Sequence, residues 1–588
     1  MTQGSTASEF SMAVLAEFVR LGVRHVVLCP GSRSQALALA AAQCEEAGLL
    51  TLTVRIDERG AGFLGLGLAV ETGMPALVIT TSGTAVGNLL PAVMEAHHSG
   101  VPMILLTADR PEELRGIGSN QTTDQLGIFG TFAAFAREVE APSTVAFDQQ
   151  FPAQLARAAF LAATGRSGTP GAVQVNMAYR EPLSGDIDPV ALDRLKDSGG
   201  RTGHSDPGDL QGQAGSDGAA AARGASADRA GTGETITPEP FTVVVAGHAA
   251  GEAAEETARA LGAPLLAEVS SGAHFGRNLV VAYRELLNLP EFGGRVRRVI
   301  VFGHPTLSRE IPSLIERADV ETIVIRGHAG EAYNPGHRVK RFVDAVNIAE
   351  PSAEVDASWL GSWVSASRTL LDDGTSADPA AARTDDHRAV AEFTKAQLEV
   401  FREPVTRRML VEAVWQKTWP HDRLVFGSSR LIREADRVVP GKRIRVHANR
   451  GLAGIDGTVA TAAGIALASQ YGAGSGNAPA GTTRVVLGDL ALLHDAGSLL
   501  TAPGEPETRI QVIVGNDGGG TIFDSLEVAE TARKPAFDRV MYTPHEVKFE
   551  ALAHAYGWNH ILATNRGQLD EALGSAGGRT IIEVPLPR

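Results

Sequence analysis

The stretch "RVVLGDLALLHDAGSLLTAPGEPETRIQVIVGNDGGG" (484–520) contains two apolar runs that each end in a polar side chain, Asp489 after the first and Asn516 after the second, 27 positions on. Short β-branched runs separated by a helix-length segment read as parallel strands, because parallel neighbours need a crossover of a dozen or more residues. A crossover of this kind brings both strand ends to one edge of the sheet, where open α/β sheets form their ligand crevice. A carboxylate, a carboxamide and one backbone carbonyl from the glycine turn leave room for phosphate oxygens and water around a small hard cation, which is how Mg²⁺ is usually held. Glycines after Asn516 allow close approach to a diphosphate, and the helix opening at "GDLA" directs its positive end at those oxygens. Gly-Asp after a strand is also a common turn and N-cap. It is the pairing at crossover distance that predicts Mg²⁺ and a diphosphate ester.

The same alternation runs through the chain. Apolar runs at 23–29, 52–56, 75–81 and 102–107 alternate with Ala- and Leu-rich helical segments; the pattern restarts at 241–247, 297–303 and 322–327, and again at 423–428, 484–489 and 510–516. Alternation of this type predicts an α/β protein of three doubly wound parallel-sheet domains. Residues 197–240 carry almost no large apolar side chains and cannot offset their ordering entropy. The expected organisation is therefore a first domain over 1–190, a flexible Gly/Ala/Ser-rich linker over 191–240, a central domain over 241–350, a second linker over 351–400 and a third domain over 401–588. The central unit looks poorest in polar residues at strand ends, which suggests a structural or regulatory part, with Arg309 as its candidate anion contact.

Bulk properties narrow the function. A net charge of −15 with no block of Lys or Arg argues against a phosphate-backbone partner. Only Cys29 and Cys44 occur, in no CxxC arrangement, so neither a disulfide framework nor a zinc site is available. The N-terminus lacks the pattern of a signal peptide and no uncharged apolar run reaches ~18 residues. A soluble, unprocessed, cytoplasmic protein is expected.

A second stretch, "VRIDERGAGF" (54–63), sets Glu58 between a strand and a helix. Gly488, Asp489 and Asn516 resemble the metal–diphosphate motif of thiamine diphosphate enzymes, which carry a lone Glu at a strand end in a separate domain; Glu58 fits that part. The resemblance implies pyrimidine, central and pyrophosphate domains in that order. It also implies that Glu58, as the catalytic residue, exchanges a proton with N1′ of the cofactor's aminopyrimidine, and burial would raise its pKa for that task.

Further stretches narrow the family: "CPGSRSQALALA" (29–40), "RIDERGAGFLGLGLA" (55–69), "TTSGTAVGNLLPAVMEA" (80–96), "LTADRPEELRGIGSNQTTDQ" (106–125), "ANRGLAGIDGTVATAAG" (448–464) and "GDLALLHD" (488–495). Together they resemble the MenD family, the 2-succinyl-5-enolpyruvyl-6-hydroxy-3-cyclohexene-1-carboxylate synthases of menaquinone biosynthesis. That resemblance implies decarboxylation of 2-oxoglutarate and 1,4-addition of the resulting succinyl carbanion to isochorismate, with thiamine diphosphate and Mg²⁺ or Mn²⁺. It also implies a homodimer or tetramer whose cofactor halves come from different subunits. Both substrates are anionic, and Arg33, Arg110, Arg433 and Arg450 offer planar forks at predicted strand ends or loops. By carry-over Asn120 and Ser429 face substrate and Gln121 faces substrate or cofactor. The resemblance further implies that Ser32, Gly488, Leu490, Ile522 and Phe523 line the cofactor and that Asp489, Asn516 and Gly518 hold the metal.

The chain departs from the family pattern at Ala491, at Ser428 and in a glycine turn one residue longer than usual. An acetolactate-synthase-like or simple 2-oxo-acid decarboxylase stays open as an alternative. A dinucleotide-binding regulator reading of "GLGLAV" (65–70) fails, since the third glycine is missing and the segment falls inside a helix.

Overall fold

The computed structural model describes residues 5–143, 150–185, 233–327, 331–349, 357–372, 388, 390, 395, 401–471, 481–575 and 577–588. The first sheet contains β1 (His25–Leu28), β2 (Thr51–Val54), β3 (Ala76–Thr80), β4 (Met103–Asp109), β5 (Ala133–Val139) and β6 (Ala172–Ala178), in the order β2-β1-β3-β4-β6-β5. In the middle, β7 (Glu234–Ile236) pairs with β13 (Val346–Ile348), beside a five-stranded sheet. That sheet runs β12-β11-β10-β8-β9, from β8 (Thr242–Ala246), β9 (Leu265–Ala267), β10 (Arg298–Phe302), β11 (Glu321–Ile325) and β12 (Arg341–Val343). The third sheet contains β14 (Arg423–Phe426), β15 (Arg445–Ala448), β16 (Thr483–Gly488), β17 (Ile510–Asn516), β18 (Asn559–Leu562) and β19 (Arg579–Pro585), in the order β15-β14-β16-β17-β19-β18.

Every pairing between these strands is parallel. Strands β3, β4, β6, β8 and β10 are buried along their whole length, which is why they are continuous apolar runs: helices cover both faces. The three parallel α/β units read from the sequence are therefore present.

Two segments differ from the expected linkers. Residues 191–232 lie outside the described residues, but 234–236 form β7. Within 351–400, Ala357–Leu371 is a helix whose Trp359 and Trp363 fill the middle unit's core beside Tyr283 and Leu286. Its low-complexity flank masks two large aromatics spaced four apart, and their burial binds the helix to the middle sheet. Residues 373–387 lie outside the described residues.

The outer sheets share one strand order, so their elements correspond in sequence. In each, the second strand leads into a long helix: β2 into Glu58–Thr72 and β15 into Thr458–Tyr471. These two helices pack against each other at backbone distance. A Cβ placed on Gly67 would lie 2.0 Å from the Thr461 carbonyl oxygen, and one on Gly464 would lie 2.2 Å from that of Leu64. Ala460, Leu467 and Ala468 of the second helix join the first unit's core.

The far end of the contact is ionic. Glu71 Oε1 accepts hydrogen bonds from Arg423 Nη2 (2.6 Å) and Arg445 Nη1 (2.8 Å), while His447 Nε2 lies 3.3 Å from Oε2. Burial pushes this carboxyl up, but His447 and Arg423 outweigh it and hold it down at about 2. Among the described residues no helix is long and apolar enough to cross a membrane.

Because the folded-state pKa of Glu71 lies below the ordinary value of ~4.3, its stabilisation is present above that pH and is lost as pH falls towards 2. The melting-temperature gap between wild type and Glu71→Gln is therefore expected to narrow as pH drops from about 5 to 3. A gap that stays constant over that range would show that the cluster holds the units by shape alone.

Candidate active site

Strands β16 and β17 are neighbours, with Gly488 opposite Gly515, so Asp489 and Asn516 leave the sheet edge side by side. Asp489 opens a six-residue helix, Asp489–His494, and its Oδ1 accepts the Leu490 N–H at 2.7 Å. Asn516 Oδ1 accepts the Gly518 N–H at 3.2 Å, while its Nδ2 donates to Glu583 at 2.7 Å. The Gly518 carbonyl accepts from His545 N (3.4 Å), and the His545 ring is 3.1 Å from Asp489 Oδ2. Since Val547 N–H donates to His545 Nδ1, the ring proton sits on Nε2 and is given to Asp489. The three expected metal donors thus meet in one corner. Gly518, with φ +76°, turns the chain there.

The electrostatics of this corner suit a cation. Burial, then the neighbouring Asp517 carboxylate, push the Asp489 carboxyl up; Leu490 N–H and His545 pull it back. Asp517 is itself held by Arg407 at 2.7 Å and by Thr521. Two carboxylates against one guanidinium and one imidazole leave a negative excess, and one carboxylate, one carboxamide and one carbonyl are the oxygen set Mg²⁺ takes. Leu490, Ile522 and Phe523 are half-buried beside this corner, Ile522 and Phe523 in a 3₁₀ turn over Thr521–Ser525.

Glu58 is the first residue of its helix, after the N-cap Asp57, whose side chain accepts from Arg59 N. It is half-buried, not enclosed between strand and helix as expected, because the chain turns outward at Ile56, which is 73% exposed. Asn88 Nδ2 donates to it at 3.4 Å. The start of this helix engages the third unit through Arg59, which donates to the His494 carbonyl at 2.8 Å. Among the described residues no hydrogen bond joins Glu58 to Asp489, Asn516 or Gly518.

The arginines gather in two groups. Arg110 Nη1 donates to Ser82 Oγ and to the Gln121 carbonyl (2.6 Å), and Gln121, at φ +55°, donates to the Ser82 carbonyl at 2.9 Å. Arg110 is buried and its pKa is lowered by burial and then by nearby Arg33. Arg33 donates to the Tyr179 carbonyl at 3.0 Å and leaves its buried Nε unpartnered. Ser32 and Asn120 are exposed at the rim.

In the second group, Ser429 caps the Arg430–Val438 helix and Arg433 projects from that helix's first turn. The Arg433 guanidinium is lowered by burial and then by Arg284 and Arg309, and Arg450 is lowered by burial, opposed by Glu268 and reinforced by Arg433. Arg450, 4% exposed, donates to Thr306 Oγ1 at 2.9 Å and to the Thr306 carbonyl at 3.2 Å. A Cβ on Gly488 would sit 3.7 Å from that of Ser429, so this group adjoins the Asp489 corner.

Sequence reasoning missed Ser82, Arg407, Asp517 and His545. The Asp517 carboxylate, next to Asn516, was the one local signal. The middle unit also differs from expectation: its strand ends carry His248, Glu268, Ser270 and His304, all buried or half-buried, and Arg450 of the third unit lies close enough to His248, Glu268 and His304 to act on their charge. No single apolar run reveals that concentration, because it arises from three separate strand ends.

Comparison with known proteins identifies the family. Residues 9–128 match the family model described as "Thiamine pyrophosphate enzyme, N-terminal TPP binding domain". The chain is 53% identical to the 2-succinyl-5-enolpyruvyl-6-hydroxy-3-cyclohexene-1-carboxylate synthase of Leifsonia xyli subsp. xyli (strain CTCB07), over 100% of this chain and 97% of the relative. It is 56% identical to the synthase of the same name from Clavibacter michiganensis subsp. michiganensis (strain NCPPB 382), again over 100% and 97%. The one from Arthrobacter sp. (strain FB24) is 39% identical over 99% and 90%. The chain belongs to this synthase family, the MenD family. It is thus a thiamine diphosphate-dependent enzyme, and membership assigns the first unit, which holds Glu58, to the cofactor.

Arg407→Ala removes the charge partner of half-buried Asp517 and is expected to destabilise the protein by about 1–3 kcal/mol. Most of that loss should vanish in an Asp517→Asn background, measured by urea unfolding. An unchanged loss there would mean that Arg407 acts through packing and not through charge.

Proposed function

We propose that the protein decarboxylates 2-oxoglutarate and joins the remaining four-carbon unit, in a 1,4 sense, to isochorismate. The product is 2-succinyl-5-enolpyruvyl-6-hydroxy-3-cyclohexene-1-carboxylate, an intermediate of menaquinone biosynthesis made in the cytoplasm. The observation that carries this reading is identity above one half, along the whole chain, to relatives named for that product. Thiamine diphosphate, when bound, supplies the carbon nucleophile and the electron sink for loss of CO₂.

This chain's residues do the rest. Asp489 and Asn516, with the Gly518 carbonyl, hold Mg²⁺ or Mn²⁺ and through it the diphosphate, and Gly488, Leu490, Ile522 and Phe523 line the cofactor. Glu58 holds and returns a proton at N1′ of the aminopyrimidine. Arg33, Arg110, Asn120 and Gln121, with Ser32 at the rim, form one wall for carboxylate substrates; Ser429, Arg433 and Arg450 form the other. In a protein of net charge −15 these two clusters make the attraction local.

The two half-sites come from different copies of the chain in a dimer, or in a tetramer built from such dimers. Within one chain Glu58 bonds to Asn88 of its own unit, and exposed Ile56 beside it marks a face that a second copy would cover.

Glu58→Gln is expected to cost ~10²–10⁴-fold in turnover with the fold intact. The assay couples 2-oxoglutarate, isochorismate, thiamine diphosphate and Mg²⁺, with pyruvate as the competing donor. Turnover of pyruvate in preference to 2-oxoglutarate would instead indicate an acetolactate-synthase-like enzyme. Asp489→Ala should abolish Mg²⁺-dependent cofactor binding in calorimetry; retained binding would remove Asp489 from the metal site.

A further inference from the structure

Arg450 is held from two sides by units other than its own. Glu95, from the first unit, accepts the N–H groups of Gly451 (2.7 Å) and Leu452 (2.8 Å) and so fixes the backbone beside the arginine. From the middle unit, Thr306 accepts two of the guanidinium's hydrogen bonds. Thr306 has no strand of its own to hold it; its place is set by Glu268, at the end of β9. Glu268 Oε1 accepts the N–H of Thr306 at 2.7 Å and of Leu307 at 2.6 Å.

The second oxygen of Glu268 tells more. Oε2 is buried without any hydrogen-bond partner, in a side chain that is 1% exposed. Among the described residues Glu268 makes no ion pair, although Arg450 and Arg433 lie close enough to feel its charge. Burial, then the Asp436 carboxylate, push its carboxyl well above the usual range. A carboxylate placed so costs stability, and such groups cluster where a site needs them. Arg450 Nη1, by contrast, has only a long contact of 3.4 Å, to Ser428, and remains available to a ligand.

We propose that Glu268 is a positioning residue for substrate binding, which sets the Arg450 guanidinium through the backbone of Thr306 and Leu307. The inference rests on the reading of Arg450 as a substrate contact. It places a determinant of substrate affinity in the middle unit, on a residue that touches no substrate. Losing the clamp lets Thr306 drift, and misplacement of a binding arginine by a fraction of an ångström weakens binding more than it slows the reaction.

The test measures KM and kcat for both substrates, with thiamine diphosphate affinity by calorimetry, in full-length Glu268→Ala, Glu268→Gln, Thr306→Val, Arg450→Ala and the Glu268→Ala/Arg450→Ala pair. Glu268→Ala is expected to raise, by about tenfold, the KM of whichever substrate Arg450→Ala affects, with kcat changed less than about twofold and cofactor affinity unchanged. In the Arg450→Ala background it should add less than about twofold, and Glu268→Gln, which keeps an acceptor for both N–H groups, should restore most of the affinity. If Glu268→Ala does not fold, Thr306→Val carries the same expectation, because it removes only the Oγ1 acceptor.

A wild-type KM in Glu268→Ala or, failing that variant, in Thr306→Val, beside a raised KM in Arg450→Ala, would overturn the proposal alone. So would effects that multiply in the double variant, or a parallel loss of cofactor affinity. A wild-type KM in Arg450→Ala would overturn the substrate role of Arg450 and the proposal with it.

Discussion

The close approach of two helices at Gly67 and Gly464 is the constraint that fixes how the first and third units sit within one chain. Backbone lies on backbone there, so neither helix can shift or rotate without a collision, and the ionic cluster of Glu71 with Arg423 and Arg445 fixes the far end. Each helix follows the second strand of its own sheet, and the two sheets share one strand order. The residues after those strands, Glu58 in one unit and Arg450 in the other, are therefore counterparts in the topology. In the proposed reading the first unit sets its catalytic acid after that strand and the third unit an anion-binding guanidinium.

The proposed chemistry needs local charge of both signs within an acidic chain. Burial supplies the contrast. At the Asp489 corner a negative excess is enclosed with Asp517, while guanidinium groups crowd elsewhere: burial and then Arg33 lower Arg110, and burial, with Arg433, lowers Arg450. Such like-charge crowding is unfavourable by itself and is relieved by a ligand of the opposite sign, which is the sign of the proposed substrates.

What was legible in the sequence follows the physics of burial. Strands such as "PALVITT" and "IQVIVGN" lie in the sheet interior, apolar on both faces, and their ends could be located closely enough to pair Asp489 with Asn516. Strand β15, "RVHA", whose end the sequence places before Arg450, shows no apolar run because it is an edge strand whose Arg445 and His447 serve the Glu71 cluster, and β9, "LLA", is too short to show a period. Within the site, donors set by one crossover could be inferred, whereas the chain from Glu268 through Thr306 to Arg450 joins residues from two units and has no local signature. The enclosure expected for Glu58 did not appear within one chain, since its neighbour Ile56 turns outward.

The central claim is that Glu58 and the Asp489 corner are two halves of one cofactor site, brought together by two copies of the chain. Mixing the Glu58→Gln chain with the Asp489→Ala chain, after dissociation and reassembly, tests it most directly. In a mixed dimer one site receives both defects and the other receives none, so the account predicts that two inactive preparations regain about a quarter of wild-type turnover, given random pairing of two-fold dimers. A reassembled mixture as inactive as its parents would contradict it.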